Sequence, residues 1–202
     1  MLKAITQWMR RAAGGPTPIP EPLWRDTLAH YPFLARLPAD EAARLRRLAE
    51  HFIDRKEFTG AHGLEVTDAM AVAVATHFLA HKEFSGAHGL HITDAMAVAV
   101  AAQACLPLLH LGPAERPEDA LHWYDDFVGI VMHPDAAVAP RKAMDEAGVM
   151  HHYDEVLSGE AMHHGPVMLS WPAVQGAGQA GQHGGTSVVI HEFVHKMDMQ
   201  GG

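Results

Sequence analysis

The sequence predicts an α+β chain, with helices towards the N-terminus, short strands after them and a closing helix. Three observations predict it. In "LPADEAARLRRLAEHFIDR" the residues Leu45, Leu48 and Phe52 recur at three- and four-residue spacing, which makes one apolar helical stripe. Two short β-type runs follow, Phe127–Val131 bounded by Pro134 and Val167–Trp171 bounded by Pro172. The chain closes on "TSVVIHEFVHKMDMQGG", with Thr186 or Ser187 as cap and Gly201-Gly202 as stop.

Composition narrows the function classes. With 202 residues, 48% of them hydrophobic and 19% charged, the chain can bury the core of one ordinary domain. Its formal charge of -9 argues against nucleic acid, which calls for a basic face. No apolar run approaches the roughly 20 residues of a membrane span. The single cysteine, Cys105, lies in the apolar run "AAQACLPLL" and reads as a buried, inert thiol. The opening "MLKAITQWMRRAAGG" has its arginines after its apolar positions, unlike a secretory signal. A cytoplasmic protein is expected.

Along the chain, residues 1–22 read as a mobile tail with a Gly/Pro break, and residues 23–202 as one domain. Its first long helix starts near Leu37 with Asp40 as cap. A tandem repeat comes next: residues 51–76 and 77–102 agree at 19 of 26 positions. Each copy reads as a short extended piece, a Gly-Ala-His-Gly turn, a Thr-Asp helix start and an Ala/Val-rich helix. Two copies are too few for a solenoid, so one copy is expected to fill the core while the other is accommodated as an insertion. The histidines around the turns (His62, His81, His88, His91) read as turn residues rather than ligands. The Val167–Trp171 run, with Pro172 at its end, reads as an edge strand. "GAGQAGQHGGTS" is a loop leading into the last helix.

One constellation carries chemistry. His191, Glu192 and His195 form H-E-x-x-H. On a helix, residues four apart share a face, so both imidazoles can meet one zinc ion. Glu192 lies about 100° round from His191, where its carboxylate can take a proton from a water at the metal.

The same helix resembles the active-site helix of the Mlc titration factor A family, which reads H-E-[F/V]-A-H-K-L-D before a Gly-containing turn. "LAEHFIDRKEF", "CLPLLHLG", "WYDDFVGIVMHP" and "GPVMLSWPAVQ" follow in the family's order. The resemblance covers most of the chain from about Phe33. It implies a zincin-like metallopeptidase domain, a gluzincin of bacterial cytosol with aminopeptidase activity, related in fold to the catalytic domain of anthrax lethal factor. It implies Zn2+ on His191 and His195 and general base/acid work for Glu192. It suggests that "PVMLSWPAV" lines the cleft and pairs with peptide substrate. A second implied role is non-catalytic: binding and sequestering a transcriptional repressor, Mlc in the family.

Two departures matter. The family carries one copy of the repeated segment, and its third ligand is a glutamate on a later helix that these 202 residues do not contain. The expectation is a domain incomplete at the C-terminus, with impaired activity. Asp198 lies about 10 Å along the axis from His191 at 1.5 Å per residue, so it suits an orienting role better than ligation. His183, His163 and His164 are the other candidates to complete the site.

Overall fold

The computed structural model describes residues 15–60, 90–135, 137–144, 150–179 and 186–201. The chain divides into two compact units, Met1–Lys56 with Thr93–His122, and Glu57–Ile92 with Trp123–Gly202. The described residues form a mixed α+β protein with a small sheet, as the sequence predicts. No helix among them is long and apolar enough to cross a membrane.

The first unit is helical: α1 (Glu21–His30), α2 (Pro32–Ala35), α3 (Ala39–Arg55) and α4 (Asp94–Cys105). The stripe on α3 is buried as its spacing demands, with Leu45, Leu48, Ala49 and Phe52 inside. Its N-cap is Pro38 rather than Asp40, which sits in the first turn, where an acid favours the helix dipole. Thr93 caps α4 by accepting a hydrogen bond from the Met96 amide at 3.3 Å. From Val98 to Cys105 every residue of α4 is buried, as befits a helix apolar all round that packs on α1 and α3. The one polar residue of that buried run, Gln103, donates to the Ala99 carbonyl at 3.2 Å. Burial pushes the Cys105 thiol up, out of the reactive range. Ile19, inside the stretch expected to be a mobile tail, is buried; its amide donates to Glu50 at 2.9 Å.

The second unit holds the sheet. Its strands are β1 (Glu57–Gly60), β2 (Gly129–His133), β3 (Ala137–Met144), β4 (Met150–Leu157), β5 (Gly159–Ala161) and β6 (Val167–Ser170). Four of them make a sheet in the order β1-β2-β6-β5, parallel through β1, β2 and β6, with β5 antiparallel at the edge. β3 and β4 form a separate antiparallel hairpin. Two short runs differ from expectation. β2 begins two residues late, because Phe127 is drawn into an aromatic cluster instead of the ladder. β6 is interior, so the expected edge strand is corrected. Pro172 lies in the first turn of α5 (Trp171–Gln175) and never interrupts the ladder.

Paired residues share a face of a pleated sheet. The register therefore puts Ile130, Met132, Val167, Leu169, Gly159 and Ala161 on one face, and Val131, His133, Met168, Ser170 and Glu160 on the other. The first face packs on α6 (Val188–Gly201). On the second, His133 and Ser170 are buried beside a small cavity that Ser158 and Glu160 also line. Neither ring nitrogen of His133 has a hydrogen-bond partner among the described residues, and burial holds its pKa below the usual histidine range.

The described elements draw on both copies of the repeat. β1 and the end of α3 come from the first copy, whereas α4 and its Thr93 cap come from the second. Among the described residues the first copy contributes its front and the second copy its back, and residues 61–89 between them are not described. Near-identity means that either copy offers almost the same residues to each position. The first copy's turn and helix start (His62, Thr67-Asp68), the second copy's early residues (His81, His88) and the loop histidine His183 lie outside the described residues.

Deleting residues 61–86 joins Gly60 to Ala87 and regenerates one unbroken unit. The deleted chain is expected to keep its fold and to gain about 1–2 kcal/mol from the shorter closure, read by urea unfolding. Loss of cooperative unfolding in the deletion would show that both copies are needed.

Candidate metal centre

α6 is started by Ser187. Its hydroxyl accepts from the Ile190 amide at 3.2 Å, and its carbonyl accepts from the His191 amide at 3.1 Å. The buried stripe of the helix is Val189, Glu192, Phe193 and Lys196. Phe193 anchors it by stacking edge-on against Tyr124 and Phe127, with centroids 5.0 and 5.7 Å away. Three- and four-residue spacing then fixes what faces out: His191, Val194, His195 and Asp198 are exposed.

The two histidines converge. Their Nε2 atoms are 3.1 Å apart, with the rings nearly perpendicular and their centroids 4.5 Å apart. Tetrahedral zinc, with Zn–N near 2.0–2.1 Å, needs two ligand nitrogens about 3.3 Å apart. The pair fits that demand in spacing, donor type and accessibility. Among the described residues no group of three or more His, Cys, Asp or Glu side chains is placed to hold a metal ion. Asp198, His163 and His164 therefore do not join the pair. His163 and His164 are exposed in the turn after β5 with their rings 4.0 Å apart, and His164 adopts a left-handed φ of 54°.

Glu192 lies at the junction with β5 and is 7% exposed, near enough to both histidines to feel their charge. Burial pushes its carboxyl up, while the charge of His191, a hydrogen bond from the Ala161 backbone and the charge of His195 pull it down. Gly159 makes the approach possible. A Cβ placed there would lie 2.7 Å from Val188 Cγ2, 2.8 Å from Glu192 Cγ and 3.0 Å from Glu192 Oε1. Sequence reasoning passed over Gly159 and Ala161, because "SGEAM" is too short to carry a strand period. The only available signal was a glycine between turn-forming and β-forming residues.

Among the described residues β5 is also the outer strand on this side of the sheet. The Ser170 amide donates to the Ser158 carbonyl at 2.8 Å and the Met162 amide to the Pro166 carbonyl at 3.4 Å. In an antiparallel pair these positions alternate with ones whose peptide groups turn outward. Gly159 and Ala161 are therefore the outward-turned residues. The edge expected on β6 lies one strand over, beside the histidine helix.

A helix with an outward imidazole pair and an inward acid, seated on the antiparallel edge of a small mixed sheet, is the arrangement of a metallopeptidase-like domain. The comparisons with known proteins agree and are more specific. The chain matches the glucose-regulated metallo-peptidase M90 family over residues 5–77 and again over 75–202, and it belongs to that family. The two matched stretches meet where the repeat copies meet, as a duplicated segment requires. The chain is similar to Mlc titration factor A of Salmonella arizonae, 31% identical over 180 residues, which are 89% of this chain and 57% of that protein. Its similarity to Mlc titration factor A of Salmonella schwarzengrund is 30% over 179 residues, 89% of this chain and 53% of that protein. It thus spans a little over half the length of the curated relatives it matches.

Gly159→Ala should cost about 1–3 kcal/mol by overpacking against Val188 and Glu192. Gly15, with nothing within 4 Å of an added Cβ, is the control position. Equal thermal stability of Gly159→Ala and Gly15→Ala would contradict the close seating of β5 on α6.

Proposed function

We propose that this chain carries the catalytic helix and the substrate edge of a cytoplasmic, zinc-dependent peptidase of aminopeptidase type. The observation that supports it most is the 3.1 Å approach of His191 Nε2 and His195 Nε2 on an exposed helix face, with Glu192 one residue away. His191 and His195 would hold the ion. Zinc at that position supplies Lewis-acid chemistry, making water acidic near neutral pH and polarising a carbonyl. Glu192 takes the proton that water loses on attacking the peptide carbon and returns it to the departing amine nitrogen. Burial raises its pKa above the usual carboxylate range, the direction that favours a group that must also give the proton back. The outward peptide groups of Gly159 and the Ala161 carbonyl pair with an extended peptide as an added strand.

No third ligand stands beside the pair among the described residues. Catalytic zinc takes three protein ligands as a rule.

The relatives' name, Mlc titration factor A, supports a second reading in which the chain binds and sequesters a transcriptional repressor without catalysis. Metal dependence separates the two.

Zinc titration by calorimetry should give 1:1 binding that His191→Ala and His195→Ala each abolish. Glu192→Gln should keep the binding and lose at least about 100-fold in hydrolysis of an aminoacyl chromogenic substrate. Zinc binding that survives both histidine substitutions would sink the metal assignment. Capture of the repressor Mlc that is indifferent to chelator and to Glu192→Gln would favour the second reading.

A further inference from the structure

One residue after the histidine pair, α6 buries a full positive charge. Lys196 is 0% exposed, and its ammonium has all three donors engaged. It meets Asp126 Oδ2 at 2.6 Å, the Met162 carbonyl at 2.7 Å and the Gly165 carbonyl at 3.2 Å, with the Phe127 ring centroid 4.7 Å away. Met162 directly follows β5, and Gly165 closes the same turn, its amide donating to the Met162 carbonyl at 3.1 Å. Asp126 precedes β2. The lysine thus ties the helix to the chain at the far end of β5 and at the approach to β2.

Its position on the helix gives this consequence. Glu192 and Lys196 are one turn apart on the same buried face, and they engage successive residues of the edge segment. Glu192 takes the Ala161 amide, and Lys196 takes the Met162 carbonyl. Acid with donor and ammonium with acceptor fix one register of strand against helix. A one-residue slip would set the carboxylate against a carbonyl. Burying an ion pair is costly, and an apolar pair of similar volume is often as stable or more so. What the pair adds here is placement.

We infer that Lys196, through Asp126 and the Met162–Gly165 turn, is a positioning residue that sets the register of β5 against α6 and so holds Glu192 and the histidine pair in place. The inference rests on the role proposed for Glu192, but its test does not need bound metal.

The test compares Lys196→Met/Asp126→Leu with the unsubstituted chain, metal-free, by thermal unfolding and residue-resolved amide exchange. The double variant should unfold near the same temperature, since both charges are gone, while the Ala161 amide exchanges at least about tenfold faster. Normal stability with unchanged Ala161 exchange would overturn the inference and leave the pair a purely structural contact. Asp126→Asn keeps the shape of the site and an acceptor for the ammonium, and serves where the double variant fails to fold. It should speed Ala161 exchange about threefold, and no change there counts equally against the inference. Zinc affinity is a separate readout, expected to fall about tenfold in the double variant, as for losses of residues that orient metal ligands. Absence of zinc binding by the unsubstituted chain would count against the proposed function alone, because the exchange result stands without it.

Discussion

The seating of α6 on the edge strand β5 is the contact from which the site's geometry follows. Gly159 removes the one side chain that would hold the two apart, and the Ala161 amide gives the buried Glu192 carboxylate a partner. Phe193 supplies the apolar weight that keeps this face of the helix down. Once that stripe is buried, helical periodicity leaves no freedom in what faces outward. His191 and His195 must share the exposed side, one turn apart.

The sheet explains why this edge is available. β1, β2 and β6 run parallel, with β2 and β6 buried along their whole length, whereas β5 runs antiparallel and has no further neighbour among the described residues. Unpaired strand edges are a hazard for a folded protein unless they are short or covered. β5 is three residues long and sits under the helix that bears the histidines. Its shortness limits the hazard of an open edge.

Much of this was legible in the residues. The stripe of α3, the Thr93 cap, the last helix and its histidine pair follow from spacing and capping chemistry that act within a few residues. Strand neighbours were less legible. Val167–Ser170 was recognised as a strand but given the wrong place, since Pro172 marks an edge only when it lies within the ladder, and here it opens a helix. β5 and the hairpin β3–β4 escaped notice because their alternation is short or interrupted by charged residues. Lys196 and Asp126 lie 70 residues apart in sequence, and no local pattern announces their contact. The repeat was visible at once. Two near-identical copies offer the core the same side chains, so sequence alone does not choose between one copy and a composite.

The proposed metal site rests on whether the imidazole pair shares one ion. X-ray absorption at the zinc K-edge of the zinc-loaded chain tests this directly. The account requires imidazole scattering from two ring nitrogens at about 2.0–2.1 Å, reduced to one ring in His191→Ala and in His195→Ala. A zinc spectrum without imidazole scattering, or one that neither substitution alters, would contradict it.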